Sequence, residues 1–181
     1  MPRAPRQPNA DLPRGVLNVN ATIYFLEREV KRQLRYGTPF SCIVITPVRL
    51  WSKRGAPLSV GEHETRCIMP QIISIVRKML RELDLVGSLG FVSRDIPFII
   101  LPMTEEGGGM SVVARLEKAL STLTFECNKE PMTSDFAITC ASFDPATMSG
   151  YRPFLEHALA AHKKKENLTI KCAIRKPPPD A

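Results

Sequence analysis

No apolar run in this 181-residue chain approaches the roughly 18–20 residues needed to span a membrane. The segment from Ile96 to Leu101 has the length of a strand. A signal peptide is lacking too, because no apolar segment follows the basic N-terminus, so the chain reads as cytoplasmic. Histidine is scarce, at positions 63, 157 and 162, and none of the spacings suits zinc. The five cysteines, at 42, 67, 127, 140 and 172, include no C-x-x-C pair and are odd in number. They read as small apolar core residues rather than as a disulfide or metal set. There is one tryptophan. Trp51 lies beside Arg49, Lys53 and Arg54, but one aromatic makes no stacking platform for nucleic acid, and a partly buried loop anchor is the plainer reading. Gly107-Gly108-Gly109 is not followed by G-K-S/T, which excludes a phosphate-binding P-loop and leaves a turn. Nothing points to a resident cofactor or metal.

What is present is ordinary globular composition, 44% hydrophobic and 24% charged, on a chain long enough for one domain with a full core. The net charge of +7 favours anionic partners. Much of that excess sits in the ends and in Lys163-Lys164-Lys165, a solvated helix end, so nucleic-acid binding ranks last among the readings. Residues 1–10 and 175–181 are proline-rich and poor in apolar residues, and read as disordered tails around a domain at 11–174.

Apolar periodicity places the elements. Ile23, Leu26, Val30 and Leu34 predict a helix from Asn20 to Tyr36, stopped by Gly37 and Pro39. Phe40 to Thr46 is nearly continuous in apolar and β-branched residues, the pattern of a central strand buried on both faces. Residues 47–62, with Pro47, Gly55, Pro57 and Gly61, read as a loop. Ile68, Ile72, Val76, Met79 and Leu83 line one face of a helix from Glu64 to Leu83, with Ser74, Arg77, Lys78 and Arg81 on the solvated side. Strands follow at Val86–Val92 and Phe98–Leu101. A helix at Met110–Leu123 turns Val112, Val113, Leu116 and Leu120 inward. The remaining elements are a strand at Phe136–Phe143, a helix at Tyr151–Lys165 and a strand at Leu168–Ile174. The order predicts a layered α/β domain.

The run from Arg81 to Gly90, RELDLVGSLG, resembles the segment that leads into the signature hairpin of GGDEF domains, the bacterial diguanylate cyclase family: R-x-x-D-L-V-x-R-x-G-G-D/E-E-F. Other matches span Asp11 to Ile174. Asp11, Gly15 and Asn18 fit a D-x-L-T-G-L-x-N-R opening, and Arg35-Tyr36-Gly37 with Pro39 fits an R-Y-G-x-P turn. Phe98 to Pro102 resembles the strand ending in L-L-P, Phe136 to Phe143 the late strand T-I-S-I-G-V-A, and Leu155 to Leu159 with Lys163 the closing A-D-x-A-L-Y-x-A-K. The resemblance implies a nucleotidyl cyclase-like domain: a central, mostly antiparallel sheet of five to six strands wrapped by helices.

The departures from the family pattern fall on its chemistry. Two-metal nucleotidyl transfer needs carboxylates to hold Mg²⁺. Where the family has D-x-D-x-F-K, this chain has Thr46-Pro47-Val48-Arg49-Leu50. The signature hairpin reads Gly90-Phe91-Val92-Ser93-Arg94-Asp95-Ile96-Pro97, with Asp95 its only acid and bulky residues where an open nucleotide pocket would lie. The positions that read the substrate guanine fall on Pro57 and Arg66. The resemblance therefore implies no catalytic residues, no metal site and no enzyme.

The inhibitory site of the family, which binds the product cyclic di-GMP through R-x-x-D and a second arginine, matches Arg81, Asp84 and Arg115. Arg115 lies thirteen residues beyond Pro102, within Val112-Val113-Ala114-Arg115-Leu116. An R-x-x-D tetrad by itself is most often a surface ion pair; its register with the hairpin and Arg115 give it weight. As an i, i+3 pair at a helix end, Arg81 and Asp84 would be neighbours. The implied function is a catalytically inactive cyclic di-GMP receptor that signals to an unknown protein partner, with a ligand-promoted homodimer in view. The alternatives are a ligand-free interaction or dimerisation module and, behind it, an active cyclase with rearranged metal ligands.

Overall fold

A computed structural model describes residues 15–175 apart from 54, 59, 92 and 93, with the side chains of 62, 91, 94, 95 and 171–175 also outside the description. The tail expected at 1–10 and residues 176–181 of the second tail lie outside the described residues.

Helix α1 (Val19–Tyr36) starts where the Asn18 side chain accepts from the Ala21 N–H at 2.9 Å. It ends at Gly37, whose φ of 68° lets its N–H return to the Gln33 carbonyl. Strand β1 (Phe40–Ser52) runs far beyond Thr46, through the segment expected as a loop. Pro47 reads as a breaker because it has no N–H, but the pairing with β6 shifts register between Pro47 and Arg49, and this irregularity carries the strand past the missing donor. Strand β2 (Pro57–Leu58) folds back on Leu50 and Trp51. Helix α2 (Glu62–Met79) buries Ile68, Ile72 and Val76 and exposes Ser74, Arg77 and Lys78, as the periodicity predicts. It stops four residues earlier than expected, and Leu83 is 62% exposed beyond its end.

Strands β3 (Leu85–Phe91) and β4 (Arg94–Pro102) form the expected hairpin. Helix α3 (Glu106–Ser121) already contains the three glycines expected as a turn. Gly109 sits against the Cys140 thiol and the Ser41 side chain, so the helix lies closer to the sheet than a side chain would permit. Strand β5 (Phe125–Cys127), not anticipated, pairs with β6 (Glu130–Ser142) through a two-residue turn with both Asn128 (φ 53°) and Lys129 (φ 65°) left-handed.

Helix α4 (Tyr151–Arg175) continues through the stretch expected as a last strand, Leu168–Ile174. A further strand would need a free sheet edge. The N–H and C=O of Leu17 already bond Val86 and Ser88 on the β3 edge, while Gln71 bonds the backbone of Glu126 on the β5 edge. Lys163 to Glu166 are good helix formers, so the chain stays helical.

The sheet is antiparallel, ordered β3-β4-β1-β6-β5, with β2 beside β1. Ile43 and Ile45 of β1 face a core shared with α2 and α3, while Cys42 and Val44 face one shared with α1 and α4. Helices thus cover both faces, which is why the central strand is apolar without alternation.

Candidate nucleotide-binding site

Strand register separates two ends of the sheet. Leu85 at the start of β3 pairs with Ile100, and Phe40 at the start of β1 pairs with Pro102. The first end therefore carries the Arg81–Asp84 segment and the loop into α3. The last pair of the β3–β4 ladder, Phe91 with Arg94, lies at the opposite end, about 20 Å away at roughly 3.3 Å per residue. Thr46 and Val48 lie toward that second end of β1.

At the first end, Arg81 to Asp84 form a turn rather than the end of a helix, which corrects the helical expectation. Helix α2 stops at Met79 because Leu80 is extended, with ψ 159°. The Asp84 N–H donates to the Arg81 carbonyl at 3.1 Å, and Asp84 Oδ2 accepts from the Arg81 N–H at 2.7 Å. The turn is closed twice over the same two residues. Arg81 is exposed and Asp84 half-buried. One carboxylate oxygen is spent on the backbone, and the group retains further acceptor sites. Because the turn is not helical, Asp84 does not sit in the last turn of α2, where an acid would oppose the helix macrodipole.

Arg115 is exposed on α3, whose other side buries Val112, Val113 and Leu116. Helices α2 and α3 cover the same sheet face, so Arg115 and the turn belong to one layer of the domain. Among the described residues, no hydrogen bond or ion pair joins Arg115 to the turn.

At the second end, Thr46 is buried, and its hydroxyl lies 3.0 Å from His162 Nε2. The Thr139 hydroxyl lies 2.8 Å from His162 Nδ1. A neutral imidazole offers one donor and one acceptor, and the two hydroxyls satisfy both. Burial holds the His162 pKa down at about 4. This network escaped sequence reasoning because Thr46 and His162 are far apart in the chain and neither belongs to a motif.

Val48 and Pro57 line an open cleft of about 430 Å³ with Arg49, Leu58, Val60 and two residues of α4, Glu166 and Ile170. Val48 and Pro57 are two of the positions matched to the family's substrate site, where the expectation is a closed pocket. The side chains of Phe91 and Val92, on which that expectation also rests, lie outside the described residues, while Pro97 is buried in β4. Arg66 is exposed on α2. Trp51 is half-buried on β1 rather than in a loop. Its Nε1–H donates to Asp135 at 2.9 Å, and the Arg49 guanidinium lies 5.3 Å from its ring centre.

No protein-family model matches the chain, and no sequence among the curated proteins matches it significantly. Solved structures do. The FimX GGDEF domain of Pseudomonas aeruginosa superposes with a TM-score of 0.69 at 13% identity, over 87% of this chain and 94% of that one. The GGDEF domain of DgcB from Caulobacter crescentus, solved with c-di-GMP, gives 0.65 at 14% identity over 92% and 94%. The active GGEEF domain of a diguanylate cyclase from Vibrio cholerae gives 0.56 at 13% identity over 82% and 92%. The chain has a GGDEF-like fold.

Proposed function

We propose that this GGDEF-like domain is a cyclic di-GMP receptor without cyclase activity, and that Arg81, Asp84 and Arg115 contact the ligand. One contrast carries the reading. At one end of the sheet, a doubly closed turn presents an exposed guanidinium and a carboxylate with acceptor capacity to spare. At the other, the strand position matching the first metal-binding carboxylate holds a buried threonine committed to His162.

The chemistry of the turn suits a guanine. An arginine fork donates to O6 and N7, and a carboxylate accepts from the N1 and N2 hydrogens on the other edge. Arg115, in the same helical layer, suits a phosphate or the face of a base. The structural similarity to DgcB solved with c-di-GMP supports the choice of ligand. An intercalated ligand pair would leave bases free for a second domain and favour a dimer.

A second reading, a protein-docking module, draws on one observation. Leu83 in the turn is 62% exposed and Met103, just past β4 at the same end, is 55% exposed. A protein partner could cover both with or without the nucleotide.

The deciding experiment is calorimetric titration with cyclic di-GMP, paired with incubation in GTP and Mg²⁺ or Mn²⁺ followed by chromatography. Heat of binding and no cyclic product are expected. Absence of binding at high micromolar ligand defeats the receptor reading, and turnover that depends on Asp95 defeats the inactive one.

A further inference from the structure

We propose that Cys67 and Cys127 are a redox pair that closes reversibly into an intrachain disulfide between α2 and β5. The inference is independent of the ligand reading. The Cys127 thiol lies in contact with that of Cys67. The neighbouring bonds fix this approach: Cys67 Sγ donates to the Glu126 carbonyl at 3.6 Å, and Gln71, one helical turn on, donates to that carbonyl at 2.9 Å while accepting from the Glu126 N–H at 3.2 Å. Beyond Cys127, Asn128 Nδ2 lies 3.1 Å from His63 Nε2. Three residues of α2, spaced about a turn apart, therefore hold the strand end and bring Cys67 beside Cys127. Among the described residues, the other two cysteines lack such a partner. Cys42 and Cys140 project to opposite sides of the sheet, into its two separate cores.

The two thiols differ in access. Cys67 is half-buried and Cys127 is 1% exposed. Burial first, then the contact with Cys67, pushes the Cys127 thiol up to about 11. Cys67 is accordingly the first to react and Cys127 the resolving thiol. With a low-molecular-weight disulfide RSSR as oxidant, the Cys67 thiolate attacks one sulfur, forming Cys67–S–S–R and releasing RS⁻. The Cys127 thiolate then attacks Cys67 Sγ, forming the intrachain bond and releasing the second RS⁻. The two protons given up by the protein thiols end on the two RSH products. The protein is oxidised by two electrons and RSSR is reduced. A reducing poise holds the dithiol.

The test uses the full chain exposed to glutathione disulfide, then acid-quenched, alkylated and digested. Mass spectrometry should find the Cys67 and Cys127 peptides joined and two hydrogens lighter, and dithiothreitol should restore both thiols. The bridge closes a segment of about 60 residues, so the melting midpoint should rise by several degrees on oxidation. Cys67→Ser, at the half-exposed site, should fold and abolish both the cross-link and the shift, leaving Cys127 reduced. A Cys67 mixed disulfide that never closes, or a bridge to Cys42, Cys140 or Cys172 instead, overturns the proposal.

Discussion

Asp84 Oδ2 accepts the Arg81 backbone N–H at 2.7 Å, so the acid of the R-x-x-D tetrad shapes the turn that presents its arginine. The pair is not an ion pair in the free protein, and the two residues have separable roles.

That separation predicts the outcome at Asp84. An asparagine keeps an oxygen for the Arg81 N–H but loses the charge and half of the acceptor capacity facing a guanine. Asp84→Asn should leave thermal stability nearly unchanged and weaken cyclic di-GMP binding by roughly tenfold to a hundredfold, the effect of about 1.5–3 kcal/mol for one charged hydrogen-bonding partner. Asp84→Ala should bind no better and also lose the turn closure, visible as faster amide exchange at Arg81. Unchanged affinity in both variants by calorimetry would remove Asp84 from the site.

Arg115 carries charge without reading a base edge. Arg115→Ala should lower affinity by a similar factor while changing little of the preference for cyclic di-GMP over cyclic di-AMP. Asp84→Asn should erode that preference. Competition titrations with the two dinucleotides distinguish these outcomes, and a selective loss of guanine preference in Arg115→Ala would contradict the assignment.

His162 makes stability depend on pH. Its folded pKa of about 4 lies below the ordinary value of 6.5, so the unfolded chain takes up a proton before the folded one does. The stabilisation is complete above pH 6.5 and is lost as pH falls from 6.5 to 4, by up to about 3 kcal/mol. Urea denaturation across that range should show the decline, and it should flatten in His162→Phe, whose ring carries no titrating nitrogen. A variant with the same slope as the parent would place the pH dependence elsewhere.

Gly87 is where α1 meets the β3 edge. A Cβ there would run into the Thr22 side chain, whose hydroxyl donates to the Asn18 carbonyl at 2.8 Å. Gly87→Ala should destabilise the domain by about 1–3 kcal/mol through overpacking. Gly107→Ala, with open space around it, should not destabilise, and exchanges glycine for a better helix former. Chemical denaturation of the two variants measures the difference.

Local chemistry made the helices and the central strand readable in the chain. Leu26, Val30, Ile68, Ile72, Val112 and Leu116 repeat at helical spacing and are buried, and Phe40 to Thr46 is apolar throughout because helices cover both sides of it. The R-x-x-D tetrad and Arg115 were equally visible, since a motif is a local pattern. The tertiary structure decided what pairing and burial control. Pro47 argued for a loop until β6 supplied partners that carry β1 past it. Leu168 to Ile174 argued for a strand, but with Leu17 and Gln71 on the sheet edges it stayed helical. Thr46 met His162, and Cys67 met Cys127, across separations that no periodicity spans. Side-chain spacing is written along the chain; partners distant in it are chosen only when the sheet is assembled.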